Sequence, residues 1–125
     1  MMIPRQLVKS VRHALRGVRV VFVHEQSFRI QVLAAAVVVT FAAAFGVTRN
    51  EWIVLLLLIA AVLSLELMNS IIERLADAFK PRIHPIVKDV KDIMAGTVLI
   101  VSLIAAIIGL AIFYPYLAPL VGLSA

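Results

Sequence analysis

Three long stretches without a single charge constrain this chain more than any other feature. Ile30 to Thr48 reads IQVLAAAVVVTFAAAFGVT, Trp52 to Leu65 reads WIVLLLLIAAVLSL, and Ile93 to Ala125 is likewise uncharged. A helix that crosses a bilayer needs roughly 20 consecutive, mostly apolar residues. The first and third stretches meet that length directly. The second reaches it only by continuing, without a break in helical pattern, through Glu66 to about Ile72. Composition agrees, with 63% hydrophobic and 15% charged residues, against about 45–50% and about 25% in soluble domains. A soluble globular domain is thereby excluded. The pattern predicts an all-α membrane protein in one domain, residues 1–125, with spans over 30–48, 52–80 (including a cytoplasmic extension) and 86–117.

The first 29 residues have a different character. Arg5, Lys9, Arg12, Arg16 and Arg19 recur in steps of four and three, while Leu7, Val8, Val11, Leu15, Val18 and Phe22 form the opposite stripe. That is the pattern of an amphipathic helix lying in the membrane plane. Its apolar residues are helically spaced and never form the continuous core of a signal peptide. Most of its bases are explained by contact with headgroups. Glu25, the only acid in the segment, is not. Charge also orients the chain. Residues 1–29 carry a net +5, the 46–51 turn is neutral, residues 74–92 carry +2, and the C-terminal tail has no charge. The positive-inside rule puts the N-terminus and the 74–92 segment in the cytoplasm and the C-terminus outside. Trp52, Tyr114 and Tyr116 then fall at the outer boundary, as interfacial anchors.

The second span holds the anomaly. Glu66, Asn69, Glu73 and Asp77 lie at offsets 0, +3, +7 and +11, which on a helix of 3.6 residues per turn is one narrow stripe. A carboxylate at membrane depth costs about 2.5–3.5 kcal/mol on insertion scales. A stripe of them must therefore meet cations, water or polar partners. Snorkelling at the boundary accounts for Asp77 but less well for Glu66 and Asn69, which lie deeper. Lys88, Asp89, Lys91 and Asp92 precede the third span and suit phosphate and a metal, although a charge run at a helix start is commonly just solvated. Gly96 offers a place for close helix approach. The chain has no cysteine and its three histidines have no metal-ligand spacing, so zinc is disfavoured. Carboxylate oxygens favour a hard cation, Mg²⁺ first, which typically takes one or two carboxylates plus substrate phosphates. The five glycines, at 17, 46, 96, 109 and 122, form neither a P-loop nor a G-x-G-x-x-G motif, which excludes a kinase of the soluble type.

The strings ELMNSIIERLAD and HPIVKDVKDIMAGTVLI, with HEQSFRIQ before the first span and RNEW before the second, closely resemble the prokaryotic integral-membrane diacylglycerol kinase family. The likeness to its undecaprenol kinase branch is the stronger, and it covers nearly the whole chain. The resemblance implies a homotrimer, each protomer having a surface helix and three transmembrane helices, that transfers the ATP γ-phosphate to the hydroxyl of a membrane lipid in a bacterial inner membrane. It implies Glu66 as the general base, with Asn69 beside it at the lipid hydroxyl. It implies Glu25 and Glu73 as ligands of Mg²⁺-ATP, and Asp77, Arg82, His84, Lys91 and Asp92 near the nucleotide. His13 stands where the family more often has an aromatic residue near the adenine. Undecaprenol is favoured over diacylglycerol as the lipid, and nucleic acid is no partner.

Two other classes compete with this reading. A proton- or cation-conducting subunit would use the acid stripe as a relay, but would leave polar residues in the outer halves of the spans, which here are Ala, Val, Leu and Ile. A membrane scaffold acting through its basic helix would have no use for Glu66 or Asn69.

Overall fold

A computed structural model describes residues 4–78 and 85–123. Its elements are α1 (Pro4–His24), α2 (Gln26–Phe45), α3 (Arg49–Ala78), α4 (Pro85–Leu117) and a closing 3₁₀ turn, Ala118–Val121. Three helical segments, Gln26–Phe45, Arg49–Ala78 and Pro85–Val121, are long and apolar enough to cross a membrane. α3 is central: α2 and α4 both pack along it, and α1 touches α2 and α3 near their inner ends.

One extended residue, Glu25 (φ −114°, ψ 110°), separates α1 from α2. No glycine or proline marks this break, and side-chain chemistry accounts for it. A helix end leaves its last four carbonyls without partners. Here the Val21 carbonyl accepts from the Glu25 amide at 2.8 Å. One nitrogen of the Arg29 guanidinium donates to the carbonyls of Phe22 and Val23, both at 2.8 Å. The His24 ring nitrogen Nδ1 lies 2.8 Å from the Val20 carbonyl. A cation at a helix C-terminus also opposes the negative end of the helix dipole. Arg29 thus ends α1 from within the first turn of α2, and the chain turns at Glu25.

The opposite end of α2 is set by local sequence. Gly46 takes the left-handed conformation (φ 63°) and its amide bonds to the Ala42 carbonyl, as does that of Val47 at 3.2 Å. This is a Schellman ending, which glycine permits at little cost. Thr48 and Glu51 then form a capping box. The Thr48 amide donates to Glu51 Oε1 at 2.9 Å, and the Glu51 amide donates to Thr48 Oγ1 at 3.2 Å. Val47 is buried together with Ala42, Leu55 and Phe113, and Trp52 packs against them, so the residues flanking the cap staple the turn. Tyr116 was expected only as an interfacial anchor. It also turns inward: its ring stacks on Phe45 at a 5.8 Å centroid distance and its hydroxyl donates to Glu51 at 2.6 Å. Tyr114, by contrast, is exposed.

Among the described residues only eight apolar side chains are buried, whereas Leu33, Leu57, Ile107 and Leu110 are each at least 65% exposed. In water such a chain would not stay folded alone. Its outer faces require lipid or further protein. Nothing lies within 4 Å of the Cβ position at Gly96, so within one chain that glycine serves no close helix contact.

The Arg29 joint is testable. Arg29→Ala leaves two carbonyls without their donor, a loss of about 1 kcal/mol for a partly solvated charged donor. The purified protein should lose its helical circular dichroism at a lower temperature, and Arg29→Lys should recover part of the shift. An unchanged midpoint would show that the joint does not depend on this guanidinium.

Candidate active site

The Glu25 joint directs the beginning of α2 at the polar stripe of α3. Ser27, on the first turn of α2, donates from Oγ to Glu66 Oε2 at 2.9 Å. Ser70, one turn beyond Glu66, donates from Oγ to Glu25 Oε1 at 3.1 Å. The two contacts cross-link α3 to the joint: a serine of each side meets a glutamate of the other. Glu66 is buried at 7% exposure and Ser70 at 2%. A buried carboxylate without a donor would be strongly disfavoured, and these hydroxyls are what lets the acids lie inside. Next along the stripe the Asn69 amide donates to Glu73 Oε1 at 3.1 Å, and Arg74 Nε donates to Ser70 Oγ at 3.5 Å. A turn further, Lys91 of α4 pairs with Asp77 at 3.5 Å.

A cleft of about 390 Å³ opens over this group, between α1 and α3. His13, Arg16, Gly17, Val20 and Val21 line one side, and Ser70, Ile71 and Arg74 the other. Two guanidiniums and an imidazole therefore surround a space whose floor includes Ser70, the partner of Glu25. Glu73 is three residues from Ser70 on the same helix face, so Glu25 and Glu73 both border Ser70 within one chain. Such a cleft suits an anionic ligand, with carboxylates beside it.

The structure brings Glu25, Glu66, Asn69 and Glu73 together and puts His13 in the wall of the adjoining cleft. It joins Asp77 to Lys91 on the side of α3 toward the start of α4. Asp92 is exposed on α4. Arg82 and His84 lie outside the described residues. Four residues were missed by sequence reasoning in these positions: Ser27, Ser70, Arg16 and Arg74. Ser70 was within reach, because an offset of +4 from Glu66 puts it on the acid stripe. Arg16 had been counted among the headgroup bases.

No three His, Asp or Glu side chains converge as a metal cage among the described residues. Glu25 and Glu73 still fit Mg²⁺, which commonly takes one or two carboxylates and draws its remaining ligands from phosphates and water.

The chain was compared with known proteins. The profile of the prokaryotic diacylglycerol kinase family matches residues 12–113. Undecaprenol kinase of Bacillus subtilis is 38% identical over 109 residues, covering 87% of this chain and 89% of its own. Diacylglycerol kinase of Synechocystis is 32% identical over 115 residues, covering 91% and 66%. Diacylglycerol kinase of Escherichia coli is 26% identical over 102 residues, covering 82% and 84%. The matched span runs from the first residues of the basic cleft through the acid stripe and on to Phe113. With that extent of similarity the chain belongs to the prokaryotic diacylglycerol kinase family.

Proposed function

We propose that this protein is an ATP- and Mg²⁺-dependent lipid kinase that transfers the γ-phosphate to the hydroxyl of a membrane lipid alcohol, with undecaprenol favoured over diacylglycerol. The observation that carries the reading is the position of Glu66. It is buried, hydrogen-bonded to Ser27, and one helical turn from Ser70 at the floor of a basic cleft. Phosphoryl transfer demands positioning, neutralisation of charge and a base, with little covalent work by the protein. In this reading Arg16 and Arg74 steady the triphosphate and His13 packs near the base of the nucleotide. Asp77, Lys91 and Asp92, with Arg82 and His84, belong to the nucleotide side. Glu25 and Glu73 would hold Mg²⁺, which neutralises charge on the phosphates when bound. Glu66 takes the proton of the lipid hydroxyl, and the Ser27 hydrogen bond keeps its carboxylate oriented. Asn69 fixes Glu73 and borders the same reacting region.

The preference for undecaprenol rests on the higher identity to the Bacillus subtilis enzyme than to the diacylglycerol kinases compared. Product of this kind, a lipid phosphate, would feed recycling of envelope carriers. We further propose that the domain comprises residues 1–125, sits in the bacterial inner membrane and assembles as a homotrimer. α1 would lie in the membrane plane with Leu7, Val11, Leu15 and Val18, all exposed, toward lipid. The active site would face the cytoplasm, in keeping with the net positive charge of residues 1–29. A conducting subunit is not favoured: no charged residue lies between Glu51 and Glu66 on α3, between Arg29 and Arg49 on α2, or beyond Asp92 on α4.

Purified protein in lipid nanodiscs should transfer labelled phosphate from ATP to undecaprenol faster than to diacylglycerol, and only with Mg²⁺ present. Absence of transfer to either lipid would refute the kinase reading. Glu25→Gln and Glu73→Gln should raise the Mg²⁺ concentration needed for half-maximal rate by about tenfold, as expected for loss of a ligand interaction of about 1.4 kcal/mol. Wild-type Mg²⁺ dependence in both variants would leave these acids a structural role only. In intact cells, cysteines introduced at Thr48 and Gly122 should react with a membrane-impermeant reagent and one at Lys88 should not; the reverse pattern would invert the topology. Native mass measurement of active protein in mild detergent should give three chains, and an active monomer would contradict the trimer.

A further inference from the structure

A second cavity, of about 380 Å³, runs between α2, α3 and α4. Its position relative to the acid site follows from helix periodicity. On α3 it is lined by Leu55, Leu58, Ile59, Val62 and Leu63, which lie 11, 8, 7, 4 and 3 residues before Glu66. On α2 it is lined by Gln31, Ala34, Ala35 and Val38, which lie 4, 7, 8 and 11 residues after Ser27. These are the steps that stay on one face of a helix. The groove is therefore the outward continuation of the two faces that meet in the Ser27–Glu66 hydrogen bond, and that bonded pair stands at its inner end. α4 supplies the third wall through Ser102, Ala105, Ala106 and Gly109.

We propose that this groove holds the hydrocarbon chain of the lipid alcohol whose hydroxyl meets Glu66, and that Ala105, Ala106 and Gly109 determine how long a chain the site accepts. The proposal rests on the lipid-kinase reading above and deepens it. From Glu66 to Leu55 is 11 residues, about 16 Å along α3 at 1.5 Å per residue, all of it within the apolar part of the span. An occupant at that depth has to be apolar. A helix of a neighbouring subunit is too thick to enter. At a diameter of 10 Å or more, a 16 Å length occupies on the order of 1,000 Å³, well above the volume of the groove. A single flexible chain fits. The groove exists because its walls are small: four alanines and a glycine stand where leucines fill the other faces. The Cβ position at Gly109 has nothing within 4 Å, so a side chain placed there would occupy the groove without colliding with the protein.

The test compares alcohols that differ only in chain length: undecaprenol with farnesol, and dioleoylglycerol with dihexanoylglycerol. Gly109→Leu and Ala105→Phe should lower the long-to-short ratio of kcat/KM by about tenfold, the effect of excluding a few methylenes from an apolar pocket. A ratio unchanged in both variants overturns the proposal. A second measurement uses the unmodified protein with a long-chain alcohol carrying a photoactivatable diazirine midway along its tail. Crosslinks should map to residues 34–38 of α2 or 102–109 of α4, and excess undecaprenol should compete them away. Crosslinks confined to other faces overturn the proposal even if the kinase is active. Crosslinks in the groove without turnover of any alcohol uphold the groove and refute the kinase reading instead.

Discussion

A carboxylate at the edge of hydrocarbon must be met by a donor, and the rest of this structure depends on how that requirement is fulfilled. Two serines meet two glutamates, Ser27 with Glu66 and Ser70 with Glu25. The reciprocal pairing fixes α2 against α3 at one height, while the Glu25 amide and the Arg29 guanidinium complete the end of α1. Neutral hydroxyl donors have a chemical consequence. A salt bridge would hold each carboxylate firmly in its charged form. A serine orients the acid and leaves it able to take a proton, which a general base has to do.

The two ends of the molecule divide the work. At the outer end, the capping box, the Schellman turn and the Phe45–Phe113–Tyr116 cluster hold the spans together with ordinary local chemistry. At the inner end the polar stripe, the joint and the basic cleft leave open volume where substrate could enter. The groove between them connects the acid site to the interior of the bilayer. This arrangement suits a reaction between a water-soluble donor and a membrane-bound acceptor, because the two can approach Glu66 from opposite directions.

Much of this was legible in the sequence, for identifiable reasons. The uncharged runs required helical spans, and the three apolar helices follow them. The 3.6 period put Glu66, Asn69 and Glu73 on one face, and the structure has them there. What could not be read was the break at Glu25. Residues 1–29 scan as continuous helix because the stop is made by Arg29 reaching back six and seven residues, a tertiary device with no glycine or proline to announce it. Pairings across helices were hidden for the same reason. Ser27 and Ser70 are unremarkable until the joint brings them opposite acids 39 and 45 residues away. Tyr116 was read by its composition class as an anchor, yet its hydroxyl finds Glu51 across 65 residues. The basic stripe of α1 likewise conceals that Arg16 faces a cleft.

The central claim is that Glu66 acts chemically and not as a structural acid. It is tested most directly by the turnover of Glu66→Gln with saturating Mg²⁺-ATP and lipid alcohol, measured beside its ATP affinity and oligomeric mass. Glutamine keeps the size of the side chain and can still accept from Ser27, but it cannot take the proton. Loss of a general base is typically worth 10²–10⁴-fold, so the rate should fall by about that factor while ATP binding and mass stay as in the wild type. A Glu66→Gln protein that assembles normally and phosphorylates lipid at a near wild-type rate would contradict the account.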